Sequence, residues 1–151
     1  MTAMQYFCEE MAPQLKANLV ATTYPAEAGE GIGKILEDQD NLSHACEAET
    51  SMMMACEGAL VDTSDLAALN NPDGAGAGFL QAGKGSYRWR PYTQTTSHGA
   101  TGMPGRASAD KGEQLLDVSA EAVAAMILDP DTWAKPVDQR GDGTAGVAFR
   151  R

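Results

Sequence analysis

The chain has 151 residues, 43% of them hydrophobic, which fits one domain able to bury a core. Its formal net charge of −10 argues against nucleic acid as a partner, because binding a phosphate backbone calls for clustered Lys and Arg. No run approaches the roughly 18 consecutive apolar residues of a membrane helix, and the N-terminus has neither the basic nor the apolar region of a secretory signal.

Thr2 and Gln5 read as a capping box, and Met4, Phe7, Cys8, Met11 and Leu15 recur at helical spacing. These predict a helix over about residues 3 to 17, with Pro13 an awkward guest inside it. Asn18 to Pro25, "NLVATTYP", is short, partly β-branched and closed by proline, so it is expected to be a buried strand. The polar, glycine-bearing "AEAGEGIGKILEDQDNLS" reads as a loop with a short helical turn near Ile35 and Leu36.

A second helix is predicted over about Ala45 to Leu60. Residues 61 to 85 are loop-rich, and their alternating Gly74, Gly76 and Gly78 lack the GK[ST] ending of a phosphate loop. "SYRWRPYTQTT", Ser86 to Thr96, alternates aromatic and polar residues and is expected to be extended. After a glycine-rich turn, Ser108 is a good N-cap and Asp110 suits a first turn. Leu115, Leu116, Ala122, Val123, Met126 and Ile127 make an apolar face, predicting a helix over Ala109 to Leu128. Residues 1–130 are expected to form the domain and 131–151 a tail of doubtful order. The helix and strand alternation suggests a layered α/β domain, but with too few strands for a complete central sheet.

Candidate chemistry gathers at "HACEAETSMMMA", residues 44 to 55. Glu47 and Glu49 are two apart, so on a helix they diverge by about 200° and cannot share a site. Glu49 shares a face with Met52 and Met53. His44 sits just ahead of it and could move a proton or hold a carbonyl oxygen, with Glu49 as its partner. The plainer alternative stays open: two first-turn acids and a loop histidine bonded to backbone. The Met52-Met53-Met54 run reads as core filling. His98 reads as a second site histidine or a solvent-facing turn residue, and Trp89 between Arg88 and Arg90 as a lid, an interface anchor or a half-buried strand residue. Cys8, Cys46 and Cys56 are odd in number and lack a CxxC pair, which suggests reduced thiols and a cytoplasmic protein. A metal pair of His44 and Cys46 would fall short of the usual four zinc ligands.

"HACEAETSMMMACEGALVD", residues 44 to 62, resembles the creatininase (creatinine amidohydrolase) family, in which a histidine precedes Glu-Thr-Ser and a hydrophobic helix. "GATGMPGRASADKGEQLL", residues 99 to 116, is similar to that family's Gly-x-x-Gly-x-Pro turn and the Lys-Gly pair opening its C-terminal helix. The resemblance covers about residues 2 to 128. It implies a three-layer α/β/α sandwich, of which this chain would be the C-terminal part, incomplete at its N-terminus. It implies a homo-oligomer that hydrolyses a cyclic amide or other C–N bond of a small-molecule amide with divalent metal, zinc with a second zinc or manganese. His44 and Glu49 match the family's catalytic histidine and nearby glutamate. The family's metal-binding Glu-x-His pair, Asp and Asn-Gly-His loop are not evident here, and Cys46 stands where glycine is common. Two functions follow: a metal-dependent amidohydrolase completed by further residues, or a non-catalytic oligomerisation and interaction domain derived from one.

Overall fold

The computed structural model describes residues 2–39, 42–72 and 91–134. It places four α-helices there: α1 (Thr2–Leu15), α2 (Tyr24–Ile35), α3 (Glu47–Glu57) and α4 (Ala109–Leu128). Short 3₁₀ turns at Gly58–Leu60, Leu66–Leu69, Tyr92–Gln94, Pro104–Arg106 and Pro130–Trp133 join or follow them.

No strand occurs among the described residues, which corrects the α/β/α sandwich expectation. Residues 18–23 are irregular, and Pro25 opens a helix where it was expected to close a strand. Proline suits a first helical turn, since its missing N–H would have no intrahelical partner there. The expected loop that follows is mostly α2. Its glycines mislead because packing outweighs their weak helix propensity. Ala28 and Ile32 lie one turn apart and are both buried. Gly31 lets α2 approach α4 so closely that a Cβ there would stand 2.3 Å from Val118 Cγ2. Of Ser86 to Thr96, expected to be extended, the described part carries a 3₁₀ turn over Tyr92–Gln94, while residues 86–90, with Trp89, fall outside the described set.

The other helices follow the sequence closely. α1 runs through Pro13 and ends where Lys16 turns left-handed at φ 51°. The capping role expected of Thr2 falls on a side chain outside the described set. α4 keeps its predicted bounds, with the Ser108 hydroxyl accepting from the Lys111 N–H at 3.2 Å. Pro130–Trp133 forms a 3₁₀ turn, and residues 135–151 lie outside the described set.

Helices α2 and α3 both pack on α4. Ile32, Leu36, Cys46, Ala48 and Leu115 form the core, with Tyr24, Met52 and Val118 against it. Gly112 in the first turns of α4 meets the backbone of α3: a Cβ there would lie 2.0 Å from the Ser51 carbonyl oxygen. The buried Ser51 hydroxyl accepts the Ser108 N–H at 3.1 Å, tying α3 to the start of α4. Helix α1 stands apart, with Met4, Tyr6, Phe7 and Leu15 exposed. No described helix is long and apolar enough to cross a membrane.

Candidate active site

The entry to α3 carries the site. Residues 43–46 are clasped to residues 100–102 by a short two-way exchange. The His44 N–H donates to Thr101 Oγ1 at 3.2 Å, and the Thr101 N–H donates to the His44 carbonyl at 2.9 Å. Ser43 Oγ and Thr101 Oγ1 are 2.6 Å apart, both buried. Asn71 extends the clasp, its side chain donating to the carbonyls of Thr95 and Ala100.

The backbone then turns left-handed at Ala45, φ 49°, before α3 begins. Cys46 occupies the N-cap and makes no side-chain cap bond. Glu49 acts in its place, reaching back to accept the Ala45 N–H at 2.8 Å. This is the acidic half of a capping box shifted by one residue. The same carboxylate oxygen lies 3.7 Å from His44 Nδ1, and both side chains are about half exposed. The Tyr92 ring meets the His44 imidazole edge-on, with centroids 5.6 Å apart and planes at 90°. Tyr24, on α2, also feels the site: partial burial raises its hydroxyl above the ordinary 10.0, and the charges of Glu49 and Cys46 add to the rise.

His44 and Glu49 open onto a pocket of about 340 Å³. Met53 lines it one turn beyond Glu49, and Leu60, Val61, Leu66 and Leu69 continue the apolar wall. Asp62 supplies a second carboxylate. The structure therefore joins the two residues singled out from the sequence. His98 is not joined to them: it sits in an exposed turn with Nδ1 3.5 Å from Thr96 Oγ1. Cys46 is fully buried in the core whereas His44 is exposed, so the two do not make a ligand pair.

Glu47 is where the plain reading of a first-turn acid falls short. It diverges from Glu49 as the helix angle requires and is fully buried. Its carboxylate accepts the N–H groups of Glu37 and Asp38 at 3.1 to 3.2 Å and pairs with the Lys111 ammonium. Lys111 also contacts Glu37 at 2.5 Å, and Arg106 joins Glu37 and Asp38 at 3.1 and 3.0 Å. Five charged groups thus lock the end of α2 and the start of α3 to the start of α4. The Lys-Gly pair at 111–112 was the available signal: one residue supplies this cation and the other the close approach.

The described side chains do not by themselves fit a resident metal. No group of three or more His, Cys, Asp or Glu that could hold an ion occurs among the described residues. Glu49 is committed to Ala45, and Asp62 accepts from the Ser64 N–H at 3.0 Å. A zinc site of three or four protein ligands cannot be assembled from these groups.

What the helices frame is an imidazole–carboxylate pair at the mouth of a small, mainly apolar pocket, an arrangement suited to acid–base work on a small molecule. The family model described as creatinine amidohydrolase matches residues 1–127, and the chain belongs to this creatininase family. That membership points to amidohydrolase-type chemistry, in a family that generally depends on metal. Neither a curated protein nor a solved structure matches the chain.

Proposed function

We propose that this chain bears the His44–Glu49 part of an amidohydrolase site that cleaves a cyclic amide or another non-peptide C–N bond of a small molecule. The observation that carries the reading is the pairing of these two side chains at a pocket, on the residues that resemble the family's motif. A modest closure from 3.7 Å would bring Glu49 into hydrogen-bond range of His44 Nδ1. A proton held on Nδ1 leaves Nε2 free to take a proton from a nucleophile or return one to the leaving nitrogen. Tyr92 and the Thr101 clasp restrict the ring and its backbone, so little ordering is needed at that step.

The family's divalent metal, zinc or manganese, finds no ligand set among the described side chains, and no step is drawn through it. We assign its ligands to residues outside the described set or to another chain of a homo-oligomer. A second reading, a non-catalytic oligomerisation domain, is favoured by the exposed apolar residues Met4, Phe7 and Leu15 of α1.

The test is hydrolysis of a panel of amides, read as ring-opened product from the cyclic ones and as released ammonia or amine from the linear ones, with added zinc or manganese, by the whole protein and by His44→Ala. Loss of a general acid–base is expected to slow turnover by about 10² to 10⁴-fold. A folded protein that turns over none of the panel would favour the oligomerisation reading.

A further inference from the structure

The pocket's charge pattern indicates what it selects, on the assumption that it is the amidohydrolase site proposed above. Two of its lining residues, Glu49 and Asp62, are acids, and none of the described lining residues is Lys or Arg. The acids come from different parts of the chain. Glu49 is in the first turn of α3, while Asp62 follows the turn after its last. Met53, Leu60 and Leu66 provide an apolar wall to the same pocket. The two carboxylates also have different surroundings. Glu49 is held by the Ala45 N–H and faces His44. Asp62 bonds to Ser64, whose hydroxyl and then N–H keep its carboxyl below the ordinary 3.8, so it stays charged at neutral pH.

We infer that the pocket takes an amphiphilic small cation: an amide whose C–N group lies at His44, whose aliphatic body covers Met53, Leu60 and Leu66, and whose protonated nitrogen lies at Asp62. An anionic group at that end would meet a carboxylate and no cation among the described lining residues. A neutral end would leave Asp62 solvated and gain nothing from it. The apolar wall fills the space between with contacts that do not depend on charge.

Three probes with a common amide end separate these cases: 6-aminohexanamide, hexanamide and adipamate, which end in ammonium, methyl and carboxylate. Binding to the whole protein is read from the ¹³C-methyl resonance of Met53, assigned by its loss in Met53→Leu. An exposed ion pair predicts that 6-aminohexanamide binds about threefold more tightly than hexanamide, with adipamate weakest. Asp62→Asn keeps an oxygen for the Ser64 N–H, and is expected to abolish the preference for the cation. Asp65→Asn, which changes net charge equally outside the pocket, is expected to preserve it. Equal affinities, tightest binding of adipamate, an unchanged preference in Asp62→Asn, or no shift at Met53 would each overturn the inference. Ammonia release is followed in parallel: selective binding without turnover would count against the hydrolase reading and leave the charge preference standing.

Discussion

Lys111, in the first turn of α4, holds the fully buried carboxylate of Glu47, in the first turn of α3. The pair joins the two helices beneath the site, on the side of α3 opposite Glu49. Removing one partner of such a pair leaves a buried charge, which costs far more than the pair itself contributes. Lys111→Met is therefore expected to destabilise by about 3 kcal/mol in urea unfolding. Glu47→Gln, which leaves Lys111 with Glu37, is expected to cost less. The double variant Glu47→Leu, Lys111→Met should recover much of the loss. A double variant as unstable as the sum of the singles would show that the two groups do not act as a pair.

The same cluster sets a pH window. Glu37 lies below its ordinary 4.5 because Lys111 hydrogen-bonds to it, with the Lys111 and Arg106 charges assisting. For Lys111, burial acts to lower the ammonium, but the hydrogen bonds with Glu37 and Glu47 carry it above its ordinary 10.5. A lowered carboxylate contributes stability above its unfolded value and loses it as pH falls through the folded one. A raised ammonium contributes stability below its unfolded value and loses it as pH rises through the folded one. Thermal unfolding is expected to show a plateau between about pH 5 and 10 and a decline on each side. In Lys111→Met the alkaline decline should shrink, and the acid decline should lose the larger share of the Glu37 part, Arg106 keeping the rest.

Gly112→Ala sets two effects against each other. Alanine favours a helix by about 1 kcal/mol over glycine. Its methyl would stand 2.0 Å from the Ser51 carbonyl oxygen, a backbone atom that can yield only if α3 moves. Overpacking costs about 1 to 3 kcal/mol, and the clash is expected to win, lowering the melting temperature. A melting temperature above the parent's would mean that the helices part easily.

Thr101→Val removes the hydroxyl beneath the His44 loop while preserving shape. The His44 N–H and Ser43 hydroxyl each lose a partner there. A cost of about 1 to 3 kcal/mol is expected. Amide hydrogen exchange at His44 should also quicken relative to α4. Uniform exchange across both would indicate that Thr101 does not clamp this loop.

Ala45 adopts φ 49°, a region where a Cβ is unfavourable by about 1 kcal/mol. Ala45→Gly should relieve that cost while granting the unfolded chain more freedom. The two effects oppose, so the expected change in unfolding free energy is within about 0.5 kcal/mol. A large loss would reveal a packing role for the Ala45 methyl.

Residues with strong local signals were legible from the sequence. Ser108 caps α4, and the face of Leu115 and Ala122 turns toward the core, because capping and 3.6-residue periodicity act within one helix. The 200° divergence of Glu47 from Glu49 is equally local, and so is the shared face of Glu49 and Met53, both of which line the pocket. α2 was not legible. Its Gly29, Gly31 and Gly33 lower helix propensity, and the gain from setting Gly31 against Val118 exists only when α4 is present.

The sequence by itself determined the bounds of α4, the presence though not the ends of α3, and the family, since each depends on residues close together along the chain. Tertiary structure decided the helical state of residues 24–35, the burial of Glu47 and the partnership of Lys111 with it across 64 residues. A carboxylate in a first helical turn is stable in water or in a core, and its sequence neighbours are the same in both. What selects burial is a cation and two backbone N–H groups brought from elsewhere in the chain, which compensate for the water it gives up.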